Sequence, residues 1–272
     1  MDRIEKAVIL ARGLGTRMRK PDASALLDRE QMAVAGSGVK AMIPIGKPFL
    51  DYVLSLLADA GYFRVCLVIG PEHQIVRDYY SVQAPPKRVR IDFAVQEKPL
   101  GTADAVLAAK QFAGEDLFLV INSDNYYPLE VLTAMGELRQ PGVALFDRDR
   151  LVAESNIPED RVYKFAVAKM DAQGYLARIY EKPLEETVRG LGFPVYVSMN
   201  CWVLSPSIFQ ACVSVRPSAR GELELTDAVQ FAVDVLHQRH KVLTFRSSVL
   251  DLSSRSDIGA VAERLRGISP NP

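Results

Sequence analysis

The chain has 272 residues, of which 49% are hydrophobic and 24% charged, an ordinary globular composition with enough chain for a sizeable core. Its 33 basic and 33 acidic residues give a formal net charge of zero. A general nucleic-acid binder needs a basic excess, so that class is excluded, and any phosphate must be held by local groups rather than by a global field.

In chain order, Ala7 to Leu10 reads as a buried strand. Phe49 to Ala60 carries apolar residues at helical spacing and stops at Gly61. Arg64 to Ile69 is a strand ended by Gly70-Pro71, and Gln74 to Tyr80 a short helix. Arg90 to Val95 predicts a strand, Thr102 to Phe112 a helix, Leu117 to Ile121 the clearest buried strand, and Leu129 to Leu138 a helix. Val143 to Phe146 is the next strand. Val162 to Met170 and Leu176 to Glu181 flank Asp171-Ala172-Gln173-Gly174, a hairpin signal. Val195 to Leu204 predicts a long strand, Leu225 to Leu236 an amphipathic helix, Val242 to Phe245 a strand and Ser256 to Leu265 a last helix.

Strand–helix alternation of this kind predicts an α/β fold. The expectation is a Rossmann-like three-layer sandwich whose mixed, mostly parallel sheet is flanked by helices. No internal repeat, low-complexity tract or flexible linker interrupts the sequence. A single domain over residues 1–272 is expected, with a front half of about 1–147 and a back half of about 148–272. Cys66, Cys201 and Cys212 lack metal-ligand spacing and predict buried, reduced thiols. The N-terminus enters the first strand without a signal-peptide core, and no apolar run is long enough to span a bilayer. A cytoplasmic protein with no membrane partner is expected.

Three segments carry polar groups suited to chemistry. Leu10-Ala11-Arg12-Gly13-Leu14-Gly15-Thr16-Arg17 follows the first strand. Its glycines let backbone N–H groups approach a phosphate, and Arg17 adds a fork of donors, although a structural turn has the same local pattern. Met18 stands where a dinucleotide fingerprint has its third glycine, and the Gly-Lys-Ser/Thr of a Walker loop is absent. Ile121-Asn122-Ser123-Asp124-Asn125 puts a hard oxygen donor at the carboxyl end of the best buried strand, where open α/β sheets bind ligands; a turn-capping Asp looks alike. In Gln96-Glu97-Lys98-Pro99-Leu100-Gly101-Thr102, Gln96 offers a donor and an acceptor for a base edge, Gly101 permits close approach, and Thr102 is placed to cap a helix. A plain strand–turn–helix junction is the alternative.

Taken together and in order, these segments resemble the sugar-1-phosphate nucleotidylyltransferases, including glucose-1-phosphate thymidylyl- and uridylyltransferases. The resemblance covers nearly the whole chain. That family opens with a strand, Gly-x-Gly-Thr-Arg and a later Lys-x-x-x-Pro, matched here by Gly13 to Arg17 and by Lys40 to Pro44. Gln96 and Leu100 to Ala103 match its base-binding stretch, Asp124-Asn125 its metal-binding Asp and neighbour, and Glu181-Lys182-Pro183 its sugar-phosphate segment. Gly221-Glu222-Leu223-Glu224-Leu225-Thr226-Asp227 is close to its Gly-Glu-x-Glu-x-Thr-Asp.

The resemblance implies Mg²⁺ held by Asp124 and Asp251, with Arg17, Lys40 and Lys182 as the catalytic cations. Leu10, Gly13, Gly15, Thr16, Gln96, Gly101 and Thr102 would bind the nucleotide. Asn125, Glu181 and Asn200 would face the sugar, although a solvent-facing strand Asn is the other reading of Asn200. It implies a nucleoside triphosphate, UTP or dTTP favoured, and a sugar 1-phosphate as substrates, and it allows a homo-oligomer.

There are departures from the family. Arg12 stands where Ala or Gly is usual. The stretch from Arg17 to Lys40 is long and carries Ala35-Gly36-Ser37-Gly38, which suggests a mobile lid. Val249-Leu250-Asp251-Leu252 lacks the aromatic and the glycine of the second metal segment. Two other readings fit the sequence: transfer to a non-sugar phosphate with CTP, and a non-catalytic nucleotide-sugar sensor.

Overall fold

The structure is a computed structural model and describes residues 3–272. Its nine-stranded sheet consists of β1 (Lys6–Leu10), β2 (Arg64–Ile69), β3 (Arg90–Val95), β4 (Phe118–Asn122), β5 (Gly142–Asp147), β6 (Ala166–Met170), β7 (Leu176–Tyr180), β8 (Tyr196–Leu204) and β9 (Lys241–Phe245). Pairing runs β3-β2-β1-β4-β8, and β8 also pairs with β5, which pairs with β9. Strands β3, β2, β1 and β4 are mutually parallel, and so are β5 and β9. Because β8 is antiparallel to β4, β5 and β6, only β8 and β7 run against the rest. The sheet is therefore mixed and mostly parallel, as the alternation predicts.

Buried strands need apolar side chains on both faces, and here they sort by period two. Val8, Cys66, Val68, Phe118 and Val120 point to one core, with helices Thr102–Ala108, Ile208–Ser214 and Leu225–Asp234. Ala7, Ile9, Val65, Leu67, Leu119 and Ile121 point to the other, with helices Phe49–Asp59, Leu129–Gly136 and Arg255–Arg264. That makes the three-layer sandwich. The three cysteines are free and buried. No helix among the described residues is long and apolar enough to cross a membrane.

Several local expectations need correction. The first hairpin strand begins at Ala166 rather than Val162, because Glu159–Val162 forms a helical turn. Pro158 followed by Glu159 and Asp160 is a helix-start composition that suits the N-terminal dipole. The helix expected from Thr102 to Phe112 is broken at Ala109. The segment between Arg17 and Lys40 is not an open loop: it holds helix Arg29–Ser37, started by a capping box of Asp28 and Gln31 and ended by Gly38 at φ 79°.

Three contacts fix the ends of the strands. Gly15, at φ 61°, packs on this inserted segment so closely that a Cβ would lie 2.1 Å from the Gly38 carbonyl oxygen. Arg255 of the last helix donates to the carbonyls of Met18 (2.9 Å) and Arg19 (3.4 Å). Gly101, at φ 122°, packs against the Leu223 backbone, and Leu223 N–H donates to Leu100 O at 2.7 Å while Ala103 N–H donates to Leu223 O at 2.8 Å.

This docking separates two glycines that look alike in the sequence. Gly101→Ala would put a Cβ 2.4 Å from Leu223 O at a positive φ, and is expected to cost about 2–4 kcal/mol. Gly13 has open space around its Cβ position, so Gly13→Ala is expected to stay within about 0.5 kcal/mol of the parent. Urea denaturation of both variants checks this; equal stabilities would remove the docking role of Gly101.

Candidate active site

Strands β3, β1 and β4 are parallel, so their carboxyl ends lie along one edge and deliver Gln96, the Ala11 to Gly15 turn and Asp124 to the same side. The neighbours of β1 are β2 on one side and β4 on the other, which makes its end a switch point, the usual crevice of such sheets. A first cleft opens there, lined by Leu10, Gly13, Lys40, Gln96, Gly101, Thr102 and Asp124 among others.

A second cleft arises from β8. One edge of β8 pairs with β4 at Trp202 to Leu204 and with β6 at Tyr196 to Ser198. Between these registers the ladder that β8 makes on its other edge, with β5, shifts, and Asn200 sits in that break at φ 58°. The gap where β4 ends and β6 begins is lined by Arg17, Asp124, Asn125, Glu181, Lys182, Asn200, Arg220 and Asp251 among others. Lys182 is also at positive φ, 43°. Two non-glycine residues in this sparsely populated region, both facing one cleft, is strain of the kind that gathers at functional sites. Thr102, Asn122, Asp124 and Glu222 line both clefts, so the two are neighbours across Asp124.

The two aspartates meet through a two-residue ladder in which Leu250–Asp251 pairs antiparallel with Asn125–Tyr126. Leu252 N–H also donates to Asp124 O at 2.8 Å. Lys40, which begins a short helical turn, donates its Nζ to Asp124 Oδ2. Asp251 is only 2% exposed. Its Oδ1 accepts from Asn125 Nδ2 at 3.1 Å and its Oδ2 from Arg161 Nη1 at 3.2 Å, while Arg161 also reaches Asp257 at 2.8 Å. The Asn156 side chain bonds both backbone groups of Asp251, at 2.9 and 2.7 Å.

Burial, and then the charge of Asp124, raise the Asp251 carboxyl above its ordinary value. Two hard oxygen donors in mutual repulsion fit a divalent cation, which would relieve that repulsion. Among the described residues no three His, Cys, Asp or Glu side chains cluster as a ready metal site, so further ligands would be substrate oxygens and water.

At the far wall, Glu181 accepts from Thr226 Oγ1 at 3.1 Å, and both Lys182 Nζ (3.9 Å) and Arg220 Nη2 (3.7 Å) lie near it. Arg220 also pairs with Glu224 and, at 3.4 Å, with Glu222. Burial and the neighbouring Glu224 charge push Glu181 up to about 7.

Most of the residues expected from the sequence thus converge on the two clefts. Gly15 and Thr16 line neither: Gly15 is packed on Gly38, and Thr16, itself exposed, starts the helical turn Thr16–Arg19. Thr102 is not a helix cap; its Oγ1 accepts from Leu225 N–H at 2.8 Å. Asn125 lines the second cleft, and its amide nitrogen spends one of its two N–H groups on Asp251. Arg161, Asn156 and Arg255 escaped the sequence reading, since nothing local ties them to partners some ninety or more residues away. Arg220 carried a signal, its place inside the segment Pro217 to Asp227.

An α/β sheet with a polar crevice at its switch point and an adjoining carboxylate pair suits the binding of a phosphorylated ligand. Residues 6–263 match the family described as Nucleotidyl transferase, and the chain belongs to that family. Over 232 residues it is 30% identical to glucose-1-phosphate thymidylyltransferase of Streptomyces griseus, covering 84% of this chain and 57% of that one. Over 229 residues it is 28% identical to UTP–glucose-1-phosphate uridylyltransferase AglF of Haloferax volcanii, covering 84% and 83%. The chain spans about half the length of the first curated relatives it matches. The fold is similar to a crystal structure of UDP-glucose pyrophosphorylase complexed with UDP-glucose, with a TM-score of 0.75, 20% identity and coverage of 96% and 98%.

The raised Glu181 sets a pH dependence. The folded chain keeps a proton on this carboxyl between about 4.5 and about 7, where the unfolded chain has lost it. Stability therefore falls as pH rises through that window, by roughly 2–3 kcal/mol from this group. Glu181→Gln is expected to lack that component, so the difference in unfolding free energy between variant and parent should grow from pH 4.5 to 8. A constant difference would contradict the assignment.

Proposed function

We propose that the chain transfers a nucleotidyl group from a nucleoside triphosphate, UTP or dTTP favoured, to a sugar 1-phosphate, giving a nucleoside diphosphate sugar and pyrophosphate. The observation that carries this reading is the junction of the two clefts at Asp124, with Gln96 at one end and Glu181, Lys182 and Arg220 at the other. Such a layout suits a base at one end, a sugar phosphate at the other and the α-phosphate between them. The family, and relatives named for thymidylyl and uridylyl transfer to glucose 1-phosphate, support it. Both clefts open on one sheet, which supports a single working domain over residues 1–272.

The base preference rests on Gln96. Its Nε2 donates to Gly101 O (3.0 Å) and Asp104 Oδ2 (2.8 Å), which fixes the amide orientation and leaves Oε1 as an acceptor. A uracil or thymine imide offers a matching N–H, whereas cytosine has an unprotonated ring nitrogen at that place.

In the proposed reaction a sugar-phosphate oxygen forms a bond to the α-phosphorus while the bond to the β-phosphate oxygen breaks, and the electron pair leaves with pyrophosphate. No covalent intermediate is required, and alignment and charge neutralisation supply the catalysis. Arg17 and Lys40 would offset phosphate charge, and Lys182 with Arg220 would hold the acceptor phosphate. Glu181 and Asn200 would bind sugar hydroxyls. Mg²⁺ bound by Asp124 and Asp251 would add charge neutralisation between the two phosphates.

A screen of nucleoside triphosphates against sugar 1-phosphates and alcohol phosphates, read by pyrophosphate release with Mg²⁺, tests the proposal. Release with UTP or dTTP and a sugar 1-phosphate is expected. Release only with CTP and an alcohol phosphate, or nucleotide binding without any release, would overturn it. Asp124→Asn is expected to lower kcat by about a hundredfold or more while melting as the parent does. Lys182→Ala is expected to raise KM for the sugar phosphate by about tenfold, with little change for the triphosphate; an equal effect on both substrates would contradict its role.

A further inference from the structure

Arg12 is a buried cation that the reaction outlined above does not use. It is 7% exposed, in the turn directly after β1. Its Nε donates to Gln96 O at 2.6 Å and its Nη2 to Glu97 O at 3.3 Å. Glu72 approaches Nη2 at 3.3 Å from the rim, and Nη1 has no partner among the described residues. A guanidinium can serve two carbonyls and a carboxylate from one rigid plane, which an ammonium cannot.

The contact joins two parts of the first cleft, the Ala11 to Gly15 turn and the strand end that carries Gln96. Gln96 is held from every other side as well. Its N–H donates to Ile69 O at 2.9 Å, and its amide nitrogen is tied to Gly101 and Asp104. The side chain is 4% exposed, so Oε1 presents in a direction set by the backbone position that Arg12 clamps. An uncompensated cost remains on Arg12, whose buried Nη1 is unpaired. Burial at that cost points to a role beyond filling space.

We propose that Arg12 is a positioning residue for base selection: it locks the Gln96–Glu97 carbonyls to the turn after β1 and so holds the Gln96 acceptor in register with a base N–H. This rests on the reading of the first cleft as the nucleotide site. The consequence is that selectivity between UTP or dTTP and CTP depends on a side chain at the wall of the cleft whose hydrogen bonds go to backbone carbonyls and Glu72.

Isothermal titration of the full chain with UTP, dTTP and CTP, together with KM values for triphosphate and sugar phosphate, tests this in the parent, Arg12→Lys and Arg12→Ala. The lysine variant keeps the charge and most of the volume, and thermal melts identify which variants are folded. In folded variants the preference for UTP or dTTP over CTP is expected to fall by about tenfold, the worth of one charge-assisted hydrogen bond, with KM for sugar phosphate unchanged. Parent-like preference in folded Arg12→Lys would overturn the proposal, as would equal weakening of both substrates. If Arg12→Ala does not fold, Arg12→Lys decides. A parent that binds none of the three nucleotides would instead remove the functional reading on which the proposal rests.

Discussion

Everything at the candidate site depends on one edge of β8 being shared by two strands. A single long strand pairs with β4 over one stretch and β6 over another, and neither partner covers the residues between. Unpaired backbone in a sheet interior is costly unless it bends away or meets another group. Here the β5 ladder on the opposite edge also shifts around Asn200, and Tyr127 OH donates to Met199 O at 2.6 Å beside it. The same gap leaves room above the end of β4, and Asp124 is the residue that the chain places in it. A fully paired β8 would leave no second cleft.

The electrostatics are local, as a chain of zero formal net charge requires. Cations gather on the carboxylates, Lys40 on Asp124 and Arg161 on Asp251 and Asp257 from remote parts of the sequence, and Arg220 on Glu224 four residues along. Buried carboxylates must be paired or give up their charge. The Asp251 and Glu181 carboxyls show the remaining tension, since burial and a like charge raise both. A site built this way is prepared for added cationic and anionic groups, because its own charges are only partly satisfied by each other.

Much of the scaffold was legible from apolar patterning. The inner strands β1, β2, β4, β5 and β8 are runs of mostly buried residues, because burial on both faces demands them, while β3, β7 and β9 are only partly buried. The short helices were less legible. Arg148–Glu154, Glu185–Gly190 and Ile208–Ser214 span at most seven residues each, too few turns to show a 3.6 period. The glycines of Ala35 to Gly38 suggested a loop, yet Asp28 and Gln31 form a capping box that starts a helix, and Gly38 is its C-terminal stop. Capping polarity there outweighs the weak helix propensity of one internal glycine, Gly36.

By itself the sequence determined the α/β alternation, the order of the polar segments and hence the resemblance, because strand burial and turn chemistry are properties of neighbouring residues. Which polar groups would meet was decided only by the tertiary structure. Gly101 lines the first cleft and is also required by the backbone of Leu223; Thr102 looked like a cap and holds Leu225. Asp251 joins Asp124 through a two-residue ladder with Asn125, a pairing between segments more than a hundred residues apart that carries no pattern in either one. In the sequence Arg12 is only a departure from a resemblance. Its partners are carbonyl oxygens, which every residue has, so no sequence could name them before the fold brought them within reach.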